Sequence, residues 1–401
     1  MQTKQILVLA IVYIAVSAVS FGGFKLALAN GSMSPAGIGG AGGLSGLISQ
    51  TVPKSSGGID VDQNLPKTEE CPLNGQMYTA PEKEAWLKKR PLAVMIENHV
   101  DARPQSGLAK ADVMYELIAE GGITRFMGVY YCGAQAKDTI VAPVRSARQY
   151  FIEYASDYNF PLYAHVGGAN GEDTDRRVRA LENLSDYKWA GANDLNQFSI
   201  GYPVFVRNYN RVPGKELATE HTMESSTNRL WEYAATKRGL TNVDKAGKDW
   251  STGFVKWTFA DDAPETARGT SQTVSYEFWE GFSQFAVTWN FDKATNTYLR
   301  SMGGEKHIDM NDQKQLAAKN VIVLFTEEEG PVDIHKHMWY KTTGTGDAIV
   351  FQNGQKIEAT WSKKDRVSRL QFVDKKGKAL PLVRGQVWIS VVAEDTPVTV
   401  L

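Results

Sequence analysis

Apolar and polar positions change rhythm three times along the chain. Between Ile6 and Phe24 almost every position is apolar, a run of bilayer-spanning length and not the stripe of a surface helix. From Asn30 to about Gln63 Gly, Ser, Ala and Pro prevail, with Gly39-Gly40-Ala41-Gly42-Gly43 at the centre, a composition that builds no core and predicts a flexible tether. Beyond it Leu92 to Ile96 is a continuous apolar run of the kind buried on both faces of a sheet, followed by Val113 to Tyr115 and Ile123 to Cys132. Ala147, Tyr150, Phe151, Tyr154, Ala155 and Tyr158 then fall at i, i+3, i+4, i+7, i+8 and i+11, the period of an amphipathic helix. A strand at Tyr163 to Val166, a helix from about Thr174 to Leu184, a strand around Val204 to Arg207 and a helix opened by Thr222 and carrying Met223, Thr227, Leu230, Trp231 and Ala234 complete an alternation that predicts α/β structure.

After Gly239 helical periods fade. Phe254 to Phe259, Val274 to Phe278, Phe285 to Phe291, Val321 to Phe325, Ile349 to Phe351 and Val387 to Val392 read as short strands, with one possible helical turn near Gln313 to Ala318. Asn353-Gly354 and Lys376-Gly377 suit tight hairpins. The pattern predicts an α+β or α/β class in four parts. These are a signal anchor or signal peptide over 1–29, a tether over 30–70, a three-layer-like α/β domain with a mixed sheet over 71–240, and a mostly β sandwich or small barrel over 250–401.

The apolar run also sets the location. Its nineteen residues, Ile6 to Phe24, reach roughly 28 Å at about 1.5 Å per residue, close to the thickness of a hydrocarbon core. Lys4 ahead of it places the N-terminus inside and both domains outside, with Lys25 weakening that bias. Retention gives a single-pass cell-membrane protein, the reading favoured here, and cleavage after Ala29 in Ala27-Leu28-Ala29 gives a secreted one. No Cys stands near the segment to carry lipid; Cys71 and Cys132 lie beyond it, where a disulfide between them and a buried free Cys132 are both open. A net charge of −1 supplies no field for nucleic acid, so that class is set aside.

Candidate chemistry gathers around Pro143-Val144-Arg145-Ser146-Ala147-Arg148-Gln149. Ser146 and Gln149 form an S-x-x-Q capping box, which predicts a helix starting at Ser146. Arg145 and Arg148 then flank the positive end of the helix dipole, where cations are disfavoured, and an anionic ligand would resolve the conflict. Internal salt bridges to Glu116 or Glu120 are the alternative. Arg103, Arg125, Glu97, Glu116 and His165 occupy turns and strand ends where ligands of open α/β sheets sit, and His165 and His221 are more often structural residues. No G-x-S-x-G, H-E-x-x-H, P-loop or paired-Cys metal motif occurs. No cofactor or resident metal is expected. Mg²⁺ on Glu97, Asp112 or Glu116 enters only with phosphotransfer, and His307-Ile308-Asp309 and His335-Lys336-His337 read as exposed hairpin residues.

Arg90 to His99, Arg103-Pro104-Gln105-Ser106-Gly107-Leu108, Ala111-Asp112-Val113, Glu120 to Phe126 and Pro143 to Arg148 carry a resemblance to the YerB-like family of bacterial envelope proteins. In the second half Trp289, Tyr298-Leu299-Arg300, Asn320-Val321, Gly344-Thr345-Gly346 and Trp361-Ser362-Lys363 extend it. The resemblance implies an envelope location and two domains, and supplies no reaction. One departure is the missing lipid-bearing Cys of the lipoprotein members. At the level of fold alone, the order of elements is similar to that of the LytR-CpsA-Psr phosphotransferases. Three functions are therefore expected in turn: an envelope module binding an anionic glycan or peptidoglycan ligand through Arg103, Glu116, Glu120, Arg125, Arg145, Arg148 and His165; phosphotransfer on a lipid-linked glycan; and a non-catalytic scaffold whose arginines are paired internally.

Overall fold

The computed structural model describes residues 58–62, 64–270 and 273–401; the apolar run and most of the tether lie outside them. Among the described residues no helix is long and apolar enough to cross a membrane.

The first half of the sequence supplies β1 (Leu92–Glu97), β2 (Val113–Glu120), β3 (Ile123–Tyr130), β4 (Leu162–His165) and β5 (Asp194–Asn196). The second half runs through β6 (Thr273–Tyr276), β7 (Val287–Asp292), β8 (Thr297–Met302), β9 (Asn320–Thr326), β10 (Gly344–Gln352), β11 (Gln355–Lys363), β12 (Gln371–Val373), β13 (Val387–Ala393) and β14 (Thr399–Val400). Ten of these form one mixed sheet in the order β12-β11-β10-β9-β13-β2-β3-β1-β4-β5. The two halves are therefore continuous through backbone hydrogen bonds. Their seam is the parallel pair β13–β2, in register from Val387 opposite Val113 to Ser390 opposite Glu116.

The apolar runs are explained by cover on both sides of this sheet. On β2 successive side chains alternate between faces. Tyr115 stacks on Tyr154 of a short helix at 5.2 Å between ring centroids. Glu116 points the other way, toward a second sheet in which β8, β7, β6 and β14 follow the short strand Glu305–Lys306. That second sheet meets the first through Trp289 on Trp388, at 5.3 Å between centroids, and through the Tyr276 and Ser390 hydroxyls at 2.7 Å. The layers are thus helix, sheet and sheet, with the sandwich expected of the second half sharing one of its faces with the first.

Among the described residues helices are few: α1 (Ala80–Trp86), α2 (Gln149–Ala155), α3 (Ala180–Asp186), α4 (Gln197–Ile200) and α5 (Thr227–Tyr233), with short 3₁₀ turns between. Several expected elements shift. The helix expected from Ser146 begins at Gln149, with Arg148 as its N-cap and no side-chain cap, so the S-x-x-Q capping box does not form. The cause is competition for amides: Arg145 N donates to Met95 O at 2.9 Å and Ala147 N to Gly167 O at 2.9 Å, holding residues 144–147 extended. Met223–Ser226, expected as a first helical turn, is a strand, and Ser226 caps α5 instead of Thr222. The stretch Phe254 to Phe259 is mostly irregular, and the expected turn near Gln313 to Ala318 ends in a strand, Ala317–Ala318. Asn353-Gly354 does form the β10–β11 hairpin, with both residues at positive φ, 53° and 66°, as a two-residue turn of that type requires.

Cys71 and Cys132 are joined in a disulfide with Cα atoms 5.9 Å apart, which decides between the two readings left open by the sequence. Beneath it lies Asp112, buried, accepting the amides of Tyr131, Cys132 and Gly133 and the side chain of Asn74. Burial pushes its carboxyl up to about 7 against those four donors. Trp86 of α1 packs beside this staple against Tyr131, at 6.2 Å between centroids. Because the disulfide closes a separation of 61 residues, its reduction is expected to cost about 2–4 kcal/mol of stability. Urea unfolding with and without reductant measures this, and coincident midpoints would refute it.

Candidate functional site

Three polar clusters lie along the seam and the strand ends. The first is Glu120 at the end of β2. Arg148 reaches its Oε2 through Nε at 3.0 Å and NH2 at 2.5 Å, while Arg125 of β3 holds Oε1 at 2.8 Å. Arg125 also donates to the carbonyl of Ser146 at 3.2 Å and Arg148 to that of Ala147 at 2.7 Å. Burial alone would raise the Glu120 carboxyl, but the fields of Arg125 and Arg148 outweigh it and hold it well below the ordinary range. Both arginines are almost fully buried.

The second cluster closes β1. Glu97 Oε1 accepts from Arg145 Nε at 3.1 Å, and its Oε2 faces His221 Nδ1 at 2.9 Å. The His221 ring lies parallel to that of His99, with centroids 5.2 Å apart. Arg145 and Arg148, neighbours on one helix end by the sequence reading, thus belong to different carboxylates. The extended backbone of residues 144–147 turns them apart.

The third is the interior of the seam. Glu116, expected near a strand end, is mid-strand and inaccessible, as is its partner: Arg300 NH2 donates to Oε2 at 2.7 Å. Thr124 and the indole of Trp388 also donate to Glu116. Arg300 Nε donates to His307 Nδ1 at 2.9 Å, so the ring proton sits on Nε2 and points at Gln105 Oε1, 2.9 Å away. Burial, then the charges of Arg300 and Arg103, hold His307 well below its usual range and keep the imidazole neutral. Gln105 and Arg103 continue the chain to Asn98, which donates to Thr124. Arg103 also donates to the carbonyl of Gln284 and lies over Phe285 at 5.0 Å. Burial brings its guanidinium down to about 10.

His165 joins none of these. Its two ring nitrogens face Gly167 O at 2.7 Å and Asp194 Oδ1 at 2.6 Å, leaving none for a ligand. His307 and Asp309, expected on an exposed hairpin, are buried, and Asp309 accepts the amides of Gly107 and Ala109 from the other half of the chain. His337 is buried against Asp333, while His335 is exposed. Sequence reading missed Arg300 and a second inter-half cluster, Asp157 with Lys363 and Arg369. Lys363 stands in Trp361-Ser362-Lys363 and Arg300 in Tyr298-Leu299-Arg300. The signal present was a basic residue inside a strand pattern, where only a partner permits burial.

Among the described residues no Ser, Thr or Cys side chain hydrogen-bonds a histidine, and of the buried carboxylates between the halves Glu116 and Asp157 answer cations while Asp112 and Asp309 accept amide donors. Fold and site define a disulfide-stapled mixed α/β protein whose two halves are locked by internal ion pairs. The chain belongs to the family described as "Protein of unknown function (DUF3048)", whose N-terminal domain model matches residues 78–241 and C-terminal domain model residues 274–389. It is 29% identical over 313 residues to "Putative lipoprotein YerB" of Bacillus subtilis (strain 168), covering 77% of this chain and 82% of the relative. It is also similar to the crystal structure of YerB from Bacillus subtilis, with a TM-score of 0.64 at 25% identity over 83% of this chain and 100% of that one. The YerB-like family expected from the motifs is the one found.

Two outcomes follow from the pairing. Arg300→Met leaves Glu116 buried without a cation and is expected to cost about 3–5 kcal/mol, whereas Glu116→Leu with Arg300→Met recovers most of it. Urea denaturation of both variants checks this, and equal losses would contradict it. A carboxyl depressed on folding contributes stability that is complete above its unfolded pKa, about 4.3 for Glu, and is lost as pH falls through the folded value. Stability is therefore expected to decline below about pH 4, and Glu120→Gln to flatten that slope in denaturation series run across acid pH. Superimposable slopes would exclude the Glu120 clamp as its source.

Proposed function

We propose that the folded region is a non-catalytic scaffold of the bacterial-type envelope, held outside the cytoplasm by the N-terminal segment, and that its arginine motifs bind its own carboxylates. The observation that carries this reading is the pairing itself: Arg125 and Arg148 on Glu120, Arg145 on Glu97 and Arg300 on Glu116. Of the cations expected to gather on a phosphate or pyrophosphate, Arg125 and Arg148 are held by Glu120 and Arg145 by Glu97, while Arg103 donates to Asn98 and the Gln284 carbonyl. Asp112, a candidate Mg²⁺ ligand for phosphotransfer, already accepts four donors. The lipoprotein name of the relative supports an envelope location, and the Cys71–Cys132 disulfide supports an oxidising compartment. Since the first cysteine of the sequence is Cys71, the segment Ile6 to Phe24 takes the anchoring role that lipid has in lipoproteins, single-pass with the N-terminus inside.

A second reading, capture of an anionic glycan or peptidoglycan fragment, is favoured by one observation. Arg145 gives only Nε to Glu97, its side chain is 28% exposed, and its two terminal nitrogens have no protein partner among the described residues. Calorimetry of the full chain in detergent against phosphorylated glycans and muropeptides separates the two. The scaffold reading expects no saturable heat; saturable binding abolished by Arg145→Ala would replace it with the second.

A further inference from the structure

The turn after β1 and the 3₁₀ turn Thr219–His221 bring His99, Asp101 and His221 together at the edge of the Glu97 cluster. His99 caps the 3₁₀ turn Val100–Ala102, with Asp101 on the same turn and His221 opposite. One donor atom from each of His99, Asp101 and His221 lies within 4.8 Å of the others, and His99 Nδ1 is 3.6 Å from Asp101 Oδ2. Two imidazoles and a carboxylate converge here at the carboxyl end of a sheet strand, where open α/β sheets present ligands.

We propose that His99, Asp101 and His221 form a binding site for a borderline divalent transition metal of the Zn²⁺ class. A tetrahedral ion with ligand bonds of about 2.0–2.2 Å holds its ligand atoms roughly 3.3–3.6 Å apart. The 3.6 Å pair is near that spacing, with His99 Nδ1 now accepting the Asp101 amide at 3.2 Å, and the 4.8 Å limit leaves about an ångström to close. Movement falls to the exposed members, since the side chains of Asp101 and His99 are 68% and 34% exposed while that of His221 is 8% exposed. The His99 ring must turn out of its stack on His221 to aim a nitrogen at the shared point. His221 is the fixed member. Glu97 accepts its Nδ1–H and is itself held by Arg145, leaving Nε2 without a protein partner among the described residues. A buried carboxylate behind the far nitrogen of a ligand imidazole is the arrangement that sets tautomer and orientation in metal sites. Two nitrogens and one oxygen favour Zn²⁺ and its neighbours Ni²⁺ and Cu²⁺ over Mg²⁺ or Ca²⁺, which take oxygen sets. Water completes the shell. The inference shares Glu97 and Arg145 with the scaffold reading, but the pairs at Glu116 and Glu120 that also carry that reading take no part in it.

The test is titration of the full chain in detergent with Zn²⁺ by calorimetry, with Co²⁺ absorption as a report on tetrahedral nitrogen ligation. One saturating equivalent is expected. His99→Ala, on an exposed turn and without consequence for the core, should weaken it about tenfold or more, and Glu97→Gln by about 10–100-fold. His335→Ala, a surface histidine elsewhere, should leave it unchanged. Absence of saturable uptake by the parent chain, or an affinity unchanged by His99→Ala, would overturn the site.

Discussion

Everything in the fold depends on Glu116 and Arg300 meeting in a place from which water is excluded. The two charges come from strands 184 positions apart, both side chains have no exposure, and they are bridged at 2.7 Å. Desolvation lifts the Glu116 carboxyl, and Arg300, Thr124 and Trp388 pull it back. Such a pair contributes little net stability compared with a well-packed apolar one. Its effect is on register. A one-residue slip of β2 against β13 would carry Glu116 to the opposite face, against the tyrosines of α2 and away from Arg300. Arg300 is held in turn by His307 and lies over Trp388 at 4.4 Å, so the second sheet is oriented by the same contact.

What could be read from the sequence follows from the range of the forces involved. Runs such as Leu92 to Ile96 declare a buried strand because burial on both faces leaves no polar alternation, and Asn353-Gly354 declares its turn because few residues tolerate two successive positive φ values. The alternation of β10 and β11, where polar positions face solvent on one side, is similarly local. The helix start at Ser146 was not legible. Its capping box is a local preference, overridden when Met95 and Gly167, about 50 and 20 residues away in sequence, take the amides of Arg145 and Ala147. The same holds for Met223–Ser226, drawn into a strand by Val141 and Arg207.

Candidate site residues divide in the same way. Arg145, Arg148, Arg125 and Glu120 were recognisable as one region because they lie within about thirty positions of each other, and Glu120 with its two arginines does form one cluster. The reading of two arginines on one dipole rested on the helix beginning at Ser146, and with the extended segment in its place Arg145 turns to Glu97. His307 looked exposed because a hairpin histidine ordinarily is. Its burial depends on Gln105, 202 positions earlier, and no spacing encodes that contact.

The seam also explains why the two halves form one continuous sheet although they match separate family models. Backbone pairing along β13–β2 alone would leave a polar edge open to any strand. The clusters Glu116–Arg300 and Asp157–Lys363 stand at separate points of the same junction, and both require a cation from the second half to meet an acid from the first. A foreign strand could copy the ladder but not both charges at once, so the specificity of closure lies in side chains and not in the ladder. The cost of that device is that nearly every strong cation near the sheet is consumed internally. At the end of β1, by contrast, Glu97 is shared between an arginine that is still partly exposed and a histidine whose second nitrogen has no protein partner among the described residues.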